Sequence, residues 1–419
     1  MASGRVEPSV KRLKSVLRNY SLHPAIDSSG AKAEYGSLRA ENYISALDGY
    51  RQDRRRSVCA IPEIVASLLR EIDEVVVFAL DALSFSYFME AVHPFLHRED
   101  KMFLGSLTSV FPATTSTAWT SMLTGKPPWE HGVYGTSFLL EGSGGNYVWL
   151  NDSLSLGKER VVLKYPSDRI RLNLSDASTL FQILSRDGVN VSYLGSHGLT
   201  APNRLNDELT AGAVQVRVCP DPEVKLRLHE YLDFFLKKSG ELLAAGGGKR
   251  LVWNYVDTDE YIHRYGYKML TRAFPWEKLF GFWRREKRPG RAFILVSDHG
   301  QVPQRPGTFN FLRETETNPL FRYNTGGAGR VLYFYPAPDK AEEAASWLRS
   351  SIGDTGILLK KHQLVEYGLF SHSPIAFDRV GELVAIGKTD RFPSAGPAFI
   401  SEHGSITEGE MFVPLLLFP

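Results

Sequence analysis

Pairs of carboxylate and imidazole side chains recur along this chain where an apolar run ends. The run Ala292–Val296 is followed closely by Asp298 and His299, and Asp259 and His263 stand at positions i and i+4. Aspartate and histidine together are suitable ligands for zinc or manganese. Each pair alone is also typical of a polar turn after a strand or of a surface pair on a helix. Metal chemistry is therefore indicated only if the pairs meet in space.

Buried strands are predicted in front of these polar groups. The groups are Asp81, then Asp257 and Asp259, then Asp298 with His299, and finally, through a loop, His403. Apolar runs rich in β-branched residues indicate strands covered on both faces. Open α/β sheets carry their sites at the carboxyl ends of such strands. We therefore expect three aspartates and three histidines to meet there and to form two mixed carboxylate–imidazole sites.

A hydroxyl-rich turn leads into a predicted helix between the first and second of these strand ends. It contains Thr114, Thr115 and Ser116, and the helix-compatible segment behind it ends at Gly125. Backbone N–H groups and the dipole at a helix start favour an anion, although such hydroxyls can equally be caps. Two metals about 4 Å apart can clamp the oxygens of an in-line phosphoryl displacement. A threonine hydroxyl bound to one metal would lose its proton more easily and become a nucleophile.

Composition sets the class of protein. The chain has 419 residues, 43% hydrophobic and 23% charged, with a formal net charge of +2. These values are typical of a globular protein and indicate no nucleic-acid or membrane-surface partner. Two cysteines, Cys59 and Cys219, exclude a disulfide framework and a cysteine-rich zinc site. The N-terminus has no apolar signal core and no stretch is long enough to span a membrane, so we expect a cytoplasmic protein.

Taken in order, the motifs resemble those of the alkaline phosphatase superfamily, and within it the nucleotide pyrophosphatase/phosphodiesterase (type I phosphodiesterase) branch. The matching motifs are Asp81 after its strand, Phe-Pro-x-Thr-Thr…Leu-Thr-Gly-x-x-Pro-x-x-His-Gly from Phe111 to Gly132, Asp259-x-x-x-His263-x-x-Gly266, Asp298-His299-Gly300, and His403-Gly404 with the following Glu410-Met411 and Val413-Pro414. The resemblance extends from about residue 75 to the C-terminus. One such motif alone would be weak evidence for the resemblance, but five motifs in the expected order are strong evidence.

The resemblance implies a three-layer α/β/α sandwich around a mostly parallel central sheet, with a small inserted cap. We expect this catalytic domain to cover residues 71–419, with insertions at about 137–175 and 300–325. Residues 1–70 are predicted to be an N-terminal extension, partly helical, that carries no identifiable chemistry.

The resemblance also implies the roles of the site residues. One metal would be surrounded by Asp81, Thr115, Asp298 and His299, and the other by Asp259, His263 and His403. Both ions would be divalent, zinc by preference and manganese as the alternative. Thr115 aligns with the nucleophile when Leu123-Thr124-Gly125 is the anchor, with Thr114 and Ser116 as adjacent alternatives. Asp257 competes locally with Asp259, but only Asp259 has the four-residue spacing to His263.

This chain departs from the branch at one position. The branch has an asparagine that donates to a phosphate oxygen, and this asparagine is missing here. Two alternatives follow: Thr136 substitutes for it, or the contact is absent. His131 matches a motif position outside the metal shell and is interpreted as structural. Neither Cys59 nor Cys219 lies in the Cys-x-Pro-x-Arg context of sulfatases, which disfavours that chemistry.

The sequence thus predicts a metal-dependent hydrolase of phosphodiester or pyrophosphate bonds that works through a covalent phospho-threonine. Its substrate would be a small phosphoester, with nucleotides among the candidates. The alternatives are a phosphomonoesterase or phosphonate hydrolase that uses the same site, and a non-catalytic metal-binding relative.

Overall fold

A computed structural model of the chain describes residues 22–25, 54–140, 142–149, 153–158, 161–164, 178–195, 204–218, 222–305, 307, 309–394 and 399–419. Most of the predicted N-terminal extension and residues 165–175 of the first predicted insertion lie outside these ranges. Within them, no helix has both the length and the apolar character needed to cross a membrane.

The strands are β1 His23–Pro24, β2 Glu74–Leu80, β3 Phe103–Thr108, β4 Ser137–Leu140, β5 Gly145–Val148, β6 Ser153–Leu156, β7 Val161–Lys164, β8 Asn190–Gly195, β9 Val214–Arg217, β10 Arg250–Val256, β11 Arg291–Val296, β12 Val302–Pro303, β13 Gly326–Ala328, β14 Val331–Phe334, β15 Gly356–Lys360, β16 Leu383–Gly387, β17 Ser401–Glu402 and β18 Phe412–Phe418.

The α-helices are α1 Ile61–Glu71, α2 Phe85–Tyr87, α3 Thr115–Thr124, α4 Pro128–His131, α5 Leu180–Arg186, α6 Arg204–Thr210, α7 Leu228–Ala244, α8 Asp259–Ala273, α9 Trp276–Glu286, α10 Phe311–Thr317, α11 Ala341–Ile352, α12 Gln363–Glu366 and α13 Glu408–Met411.

The main sheet has the strand order β1-β3-β18-β11-β2-β10-β8-β9 in the described part of the chain. Strands β11, β2, β10, β8 and β9 are parallel to one another, whereas β18 is antiparallel to both β11 and β3. Every residue of β2, β10 and β11 is buried, as expected for parallel strands covered on both faces. The predicted mostly parallel α/β sheet is confirmed.

Helices cover both faces of this sheet. Alternate residues of β2 point to opposite sides: Val75 and Val77 pack in one core with α1, α3 and α5, while Val76 and Phe78 pack in another with α7, α8 and α9. Aromatic residues fill both layers. On one face, the ring centroids of Trp119 and Tyr255 are 4.8 Å apart. The alternation follows from the two-residue period of a strand and produces the predicted three layers.

A second sheet was not predicted. Its order is β15-β16-β14-β13-β4-β5-β6-β7, and its strands pair antiparallel. Strand β14 lies inside this sheet, because it pairs with both β13 and β16. Strands β4 to β7 come from the first predicted insertion. Gly327 pairs with Ser137 and joins them to the rest of the sheet.

Candidate active site

The registers of the parallel strands bring the predicted ligands to one edge. Val256 at the end of β10 pairs with Leu80 at the end of β2, and Val296 at the end of β11 pairs with Ala79. The residues that follow these three ends therefore emerge side by side. They are Asp81 after β2, Asp257 to Asp259 after β10, and Asp298 with His299 after β11.

The first cluster contains Asp81, Asp298, His299 and Thr115. Nε2 of His299 lies 3.5 Å from Oδ1 of Asp81 and 3.6 Å from Oδ2 of Asp298. The Thr115 hydroxyl lies 3.1 Å from the same nitrogen and 3.5 Å from Oδ1 of Asp81. Asp81, Asp298 and His299 offer ligand atoms within 4.8 Å of one another. The four residues of the first predicted metal site thus surround one small volume.

The second cluster contains Asp259, His263 and His403. Asp259 begins α8, and one turn later Nε2 of His263 lies 3.1 Å from its Oδ2. Nε2 of His403 lies 3.6 Å from Oδ1 of Asp259. The two clusters adjoin, because the rings of His299 and His403 stack at 4.1 Å and Asp259, His299 and His403 form a further potential ligand group.

All three histidines have the same hydrogen-bonding pattern. Nδ1 of His263 contacts the Ser401 carbonyl at 2.8 Å, and Nδ1 of His403 contacts the Ala113 carbonyl at 2.9 Å. Nδ1 of His299 lies 3.1 Å from its neighbouring backbone carbonyl. A carbonyl oxygen only accepts, so the Nδ1 atom that contacts it carries the ring proton. In a neutral ring, Nε2 then keeps its lone pair and can bind a metal. Each of these Nε2 atoms faces carboxylate oxygens.

The charges at the site also fit metal ions. Burial, with repulsion from the Asp298 and Asp259 carboxylates, raises the pKa of Asp81 well above its ordinary value. Burial likewise raises the pKa of Asp298. For His263, burial lowers the pKa, but the attraction of Asp259 and Glu402 outweighs it and raises the pKa to about 10. Adjacent buried carboxylates are unfavourable without cations among them, so the donor set fits divalent ions.

Thr115 differs from its two neighbours. It is the first residue of α3, whereas Thr114 is the N-cap residue in extended conformation. The hydroxyls of Thr114 and Ser116 are buried and have no hydrogen-bond partner among the described residues. Of the three adjacent hydroxyls, the one that faces His299 and Asp81 is that of Thr115.

Asp257, the alternative to Asp259, and His131, interpreted as structural, lie apart from the clusters. Asp257 forms an ion pair with Lys225 at 2.9 Å, whereas Asp259 faces both histidines. His131 is buried, with Nε2 2.9 Å from Oγ of Ser121 and with Nδ1 accepting from the backbone of Val133. The contacts of His131 agree with the structural role predicted for it.

At the glycines of two motifs, a side chain would collide with a neighbouring backbone. A Cβ on Gly300 would lie 2.1 Å from the Gly409 carbonyl oxygen, and one on Gly404, where φ is +119°, would lie 2.3 Å from the Ala328 carbonyl oxygen. Both glycines let the backbone next to a histidine pass close to another segment.

Three site residues were missed by sequence reasoning. The Tyr255 hydroxyl donates to Oδ2 of Asp81 at 2.6 Å, the Gln301 amide donates to Oδ1 of Asp259, and Glu402 lies against His263 and His403. In the sequence, Tyr255 cannot be distinguished from the other large residues of a predicted buried strand. Glu402 and Gln301 are each close in sequence to a predicted ligand, which is the one signal that could have identified them.

A pocket of about 640 Å³ opens onto both clusters. One wall of the pocket is a face of the second sheet. Two cross-strand pairs of that sheet line it, Ser137 with Val148 and Asn146 with Ser155. Thr136 also lines it, and its hydroxyl donates to the Gly327 carbonyl at 3.1 Å. None of the described lining residues is a lysine or an arginine.

Comparison with known families decides the assignment. The family model described as type I phosphodiesterase / nucleotide pyrophosphatase matches residues 75–397. The chain belongs to this family. It is therefore a phosphoric ester hydrolase of the alkaline phosphatase superfamily. The family depends on metal ions, and the clusters of this phosphodiesterase-family chain could hold them. A comparison with curated protein sequences finds no significant match.

Solved structures share the fold of this family member. Murine ectonucleotide pyrophosphatase / phosphodiesterase 5 matches with a TM-score of 0.58 and 17% identity over 82% of this chain and 87% of the murine chain. Phosphonoacetate hydrolase from Sinorhizobium meliloti 1021, in complex with phosphonoacetate, matches with a TM-score of 0.53 and 15% identity over 82% and 89%. An inactive threonine-to-alanine variant of the murine protein, in complex with AMP, gives a TM-score of 0.58, 16% identity and coverage of 82% and 87%.

Proposed function

We propose that this chain hydrolyses phosphodiester or pyrophosphate bonds of small molecules through a covalent phospho-threonine on Thr115. The main support is the position of the Thr115 hydroxyl, 3.1 Å from Nε2 of His299 and 3.5 Å from Oδ1 of Asp81. It stands at the start of a helix and on the wall of the pocket. The murine relative whose threonine-to-alanine variant is inactive gives further support.

Two divalent metal ions belong to the proposal, zinc by preference and manganese as the alternative. Asp81, Thr115, Asp298 and His299 would hold one, and Asp259, His263 and His403 the other. When bound, such ions lower the pKa of a coordinated hydroxyl or water and neutralise charge on phosphoryl oxygens.

Thr115 carries the two chemical steps. First, its Oγ1 bonds to phosphorus and loses its proton to solvent, while the bond to the leaving oxygen breaks. A water oxygen then bonds to phosphorus, the bond to Oγ1 breaks, and Thr115 regains a proton. The start of α3 favours the negative phosphoryl group, because helix N-termini stabilise anions.

Thr136 is proposed as a contact to the substrate phosphate. Its place on the pocket wall supports this role. Its hydroxyl already donates to the Gly327 carbonyl at 3.1 Å, so a donation to a phosphate oxygen requires that bond to be exchanged. This makes Thr136 a weaker oxyanion donor than an amide nitrogen would be.

The charge of the pocket favours a diester over a carboxylated phosphonate. Phosphonoacetate has a carboxylate beside its phosphonate, and a buried carboxylate needs a cationic or strong hydrogen-bonding partner. The described lining offers Asn146, Ser155 and Glu316 but no lysine or arginine. We expect bis(4-nitrophenyl) phosphate to be hydrolysed faster than 4-nitrophenyl phosphate, and phosphonoacetate not to be cleaved. Cleavage of phosphonoacetate as the best of the three would favour the phosphonate hydrolase instead.

The variant Thr115→Ala tests the proposed nucleophile. It should abolish turnover of bis(4-nitrophenyl) phosphate while elemental analysis still finds about two metal ions per chain. Ser116→Ala is the matched control, because it removes a neighbouring hydroxyl that has no described partner, and it should keep most of the activity. Full activity of Thr115→Ala would remove Thr115 from this role.

A further inference from the structure

Glu402 is a buried carboxylate that the family resemblance does not explain. It ends β17, immediately before His403, and lines the pocket with only 3% of its surface exposed. Within the described part of the chain, its Oε1 accepts a hydrogen bond from the backbone N–H of His403 at 3.1 Å. One backbone hydrogen bond compensates only part of the cost of burying a charged carboxylate.

The charged residue that could compensate it is engaged elsewhere. Arg330 is buried nearby, but its guanidinium lies 3.1 Å from Oε1 of Glu410 and 3.0 Å from Gln304. Among the described residues, no lysine or arginine nitrogen lies within 4.0 Å of the Glu402 carboxylate. The basic atoms that do are Nδ1 of His263, at 3.8 Å, which donates to the Ser401 carbonyl, and Nε2 of His403, at 4.0 Å.

These neighbours are the histidines of the second cluster. Ligand atoms about 2.0–2.2 Å from one metal ion can be at most about 4.4 Å apart. The separation of 4.0 Å between Oε1 of Glu402 and Nε2 of His403 satisfies this limit. The carboxylate is thus close enough to Nε2 of His403 to share an ion with this histidine.

The charge balance supports the same conclusion. Asp81, Asp298 and Asp259 supply three negative charges, whereas two divalent ions supply four positive charges. A charged Glu402 provides the fourth negative charge in the same buried volume. The buried ions and carboxylates then neutralise one another, which lowers the cost of removing them all from water.

We propose that Glu402 is an additional ligand of the ion held by Asp259, His263 and His403. The inference rests on the proposed metal-dependent function, but it concerns metal affinity and can fail separately. It gives the second site two carboxylates and two imidazoles, a harder donor set than one aspartate and two histidines.

The test is a zinc titration of metal-free protein in competition with a chromophoric chelator. Glu402→Gln keeps the shape and removes the charge, and it should weaken one of the two zinc sites at least tenfold while leaving the other unchanged. Glu260→Gln is the matched control, because Glu260 lines the same pocket but pairs with Arg264 and Lys225. It should change neither site more than about twofold.

Thermal unfolding of the metal-free proteins gives a second readout. Since Glu402→Gln removes a buried charge without a described cationic partner, the metal-free variant should be at least as stable as the metal-free wild type, and it should gain less stability from zinc. Equal zinc affinity of Glu402→Gln and wild type, equal weakening by Glu260→Gln, or a less stable metal-free Glu402→Gln would overturn the proposal. A wild type that binds no metal would instead refute the proposed function.

Discussion

Oγ1 of Thr115 lies 3.1 Å from Nε2 of His299, although 184 positions separate the two residues in the sequence. The contact joins the start of α3 to the carboxyl end of β11. The His299 ring also stacks on that of His403 at 4.1 Å. One histidine therefore connects the proposed nucleophile with both clusters of potential metal ligands.

Asp259 and Asp257 should differ sharply when each is replaced by asparagine. Asp259→Asn removes the carboxylate that faces both His263 and His403. Loss of a partner of a metal ligand already costs about 10–100-fold in affinity, so loss of this charged ligand should weaken one site by about 100-fold or more. Asp257→Asn breaks only the pair with Lys225 and should keep two ions. Metal analysis after dialysis against a dilute chelator measures this, and equal losses would contradict the assignment.

His131 should make the protein less stable as the pH falls. Burial and the nearby positive charges of Arg379 and Lys126 lower its pKa from 6.5 to about 3. The unfolded chain then binds a proton below about pH 6.5 that the folded chain binds only near pH 3. Since each pKa unit corresponds to about 1.4 kcal/mol, the free energy of unfolding should fall by about 2 kcal/mol between pH 7 and pH 5 through this residue.

Denaturant unfolding of His131→Gln at both pH values isolates that contribution. The variant should have a flatter pH dependence of stability than the wild type. His362→Gln is the control, because the His362 side chain is 64% exposed, and it should leave the slope unchanged. An identical slope in His131→Gln and the wild type would show that His131 does not stay neutral in the folded state.

Tyr255 should stabilise the site through its hydroxyl. It donates to Oδ2 of Asp81 at 2.6 Å and lies 3.5 Å from Oδ2 of Asp298. A hydrogen bond to a charged group contributes about 1.5–3 kcal/mol, so Tyr255→Phe should lower the free energy of unfolding by that amount at fixed metal content. Tyr193→Phe removes a buried hydroxyl that has no described partner and should be neutral or stabilising. Equal effects of the two substitutions would contradict the role of Tyr255.

The parts of the site that follow buried strands were predictable from sequence. The strands β2, β10 and β11 are mostly apolar and buried along their whole length, and a parallel sheet aligns their carboxyl ends. The choice among Thr114, Thr115 and Ser116 was harder, because successive side chains on a helix point about 100° apart. One residue of error therefore turns the hydroxyl away from the site, and the structure was needed to place Thr115 against His299.

The second sheet and Glu402 were not predictable in the same way. Strands β4 to β7 have four residues each, too few for a clear alternation of polar and apolar residues. Glu402 stands next to a predicted ligand, but its importance arises from the contact of β17 with the helix that carries His263. Such long-range contacts leave no local pattern in the sequence.

The stereochemistry at phosphorus tests the central claim most directly. A chiral phosphorothioate diester, hydrolysed in ¹⁸O-labelled water, reports whether the configuration is retained or inverted. Two successive in-line displacements, first by Thr115 and then by water, each invert the phosphorus, so we predict overall retention. Net inversion would mean that water attacks the substrate directly and would contradict the phospho-threonine intermediate.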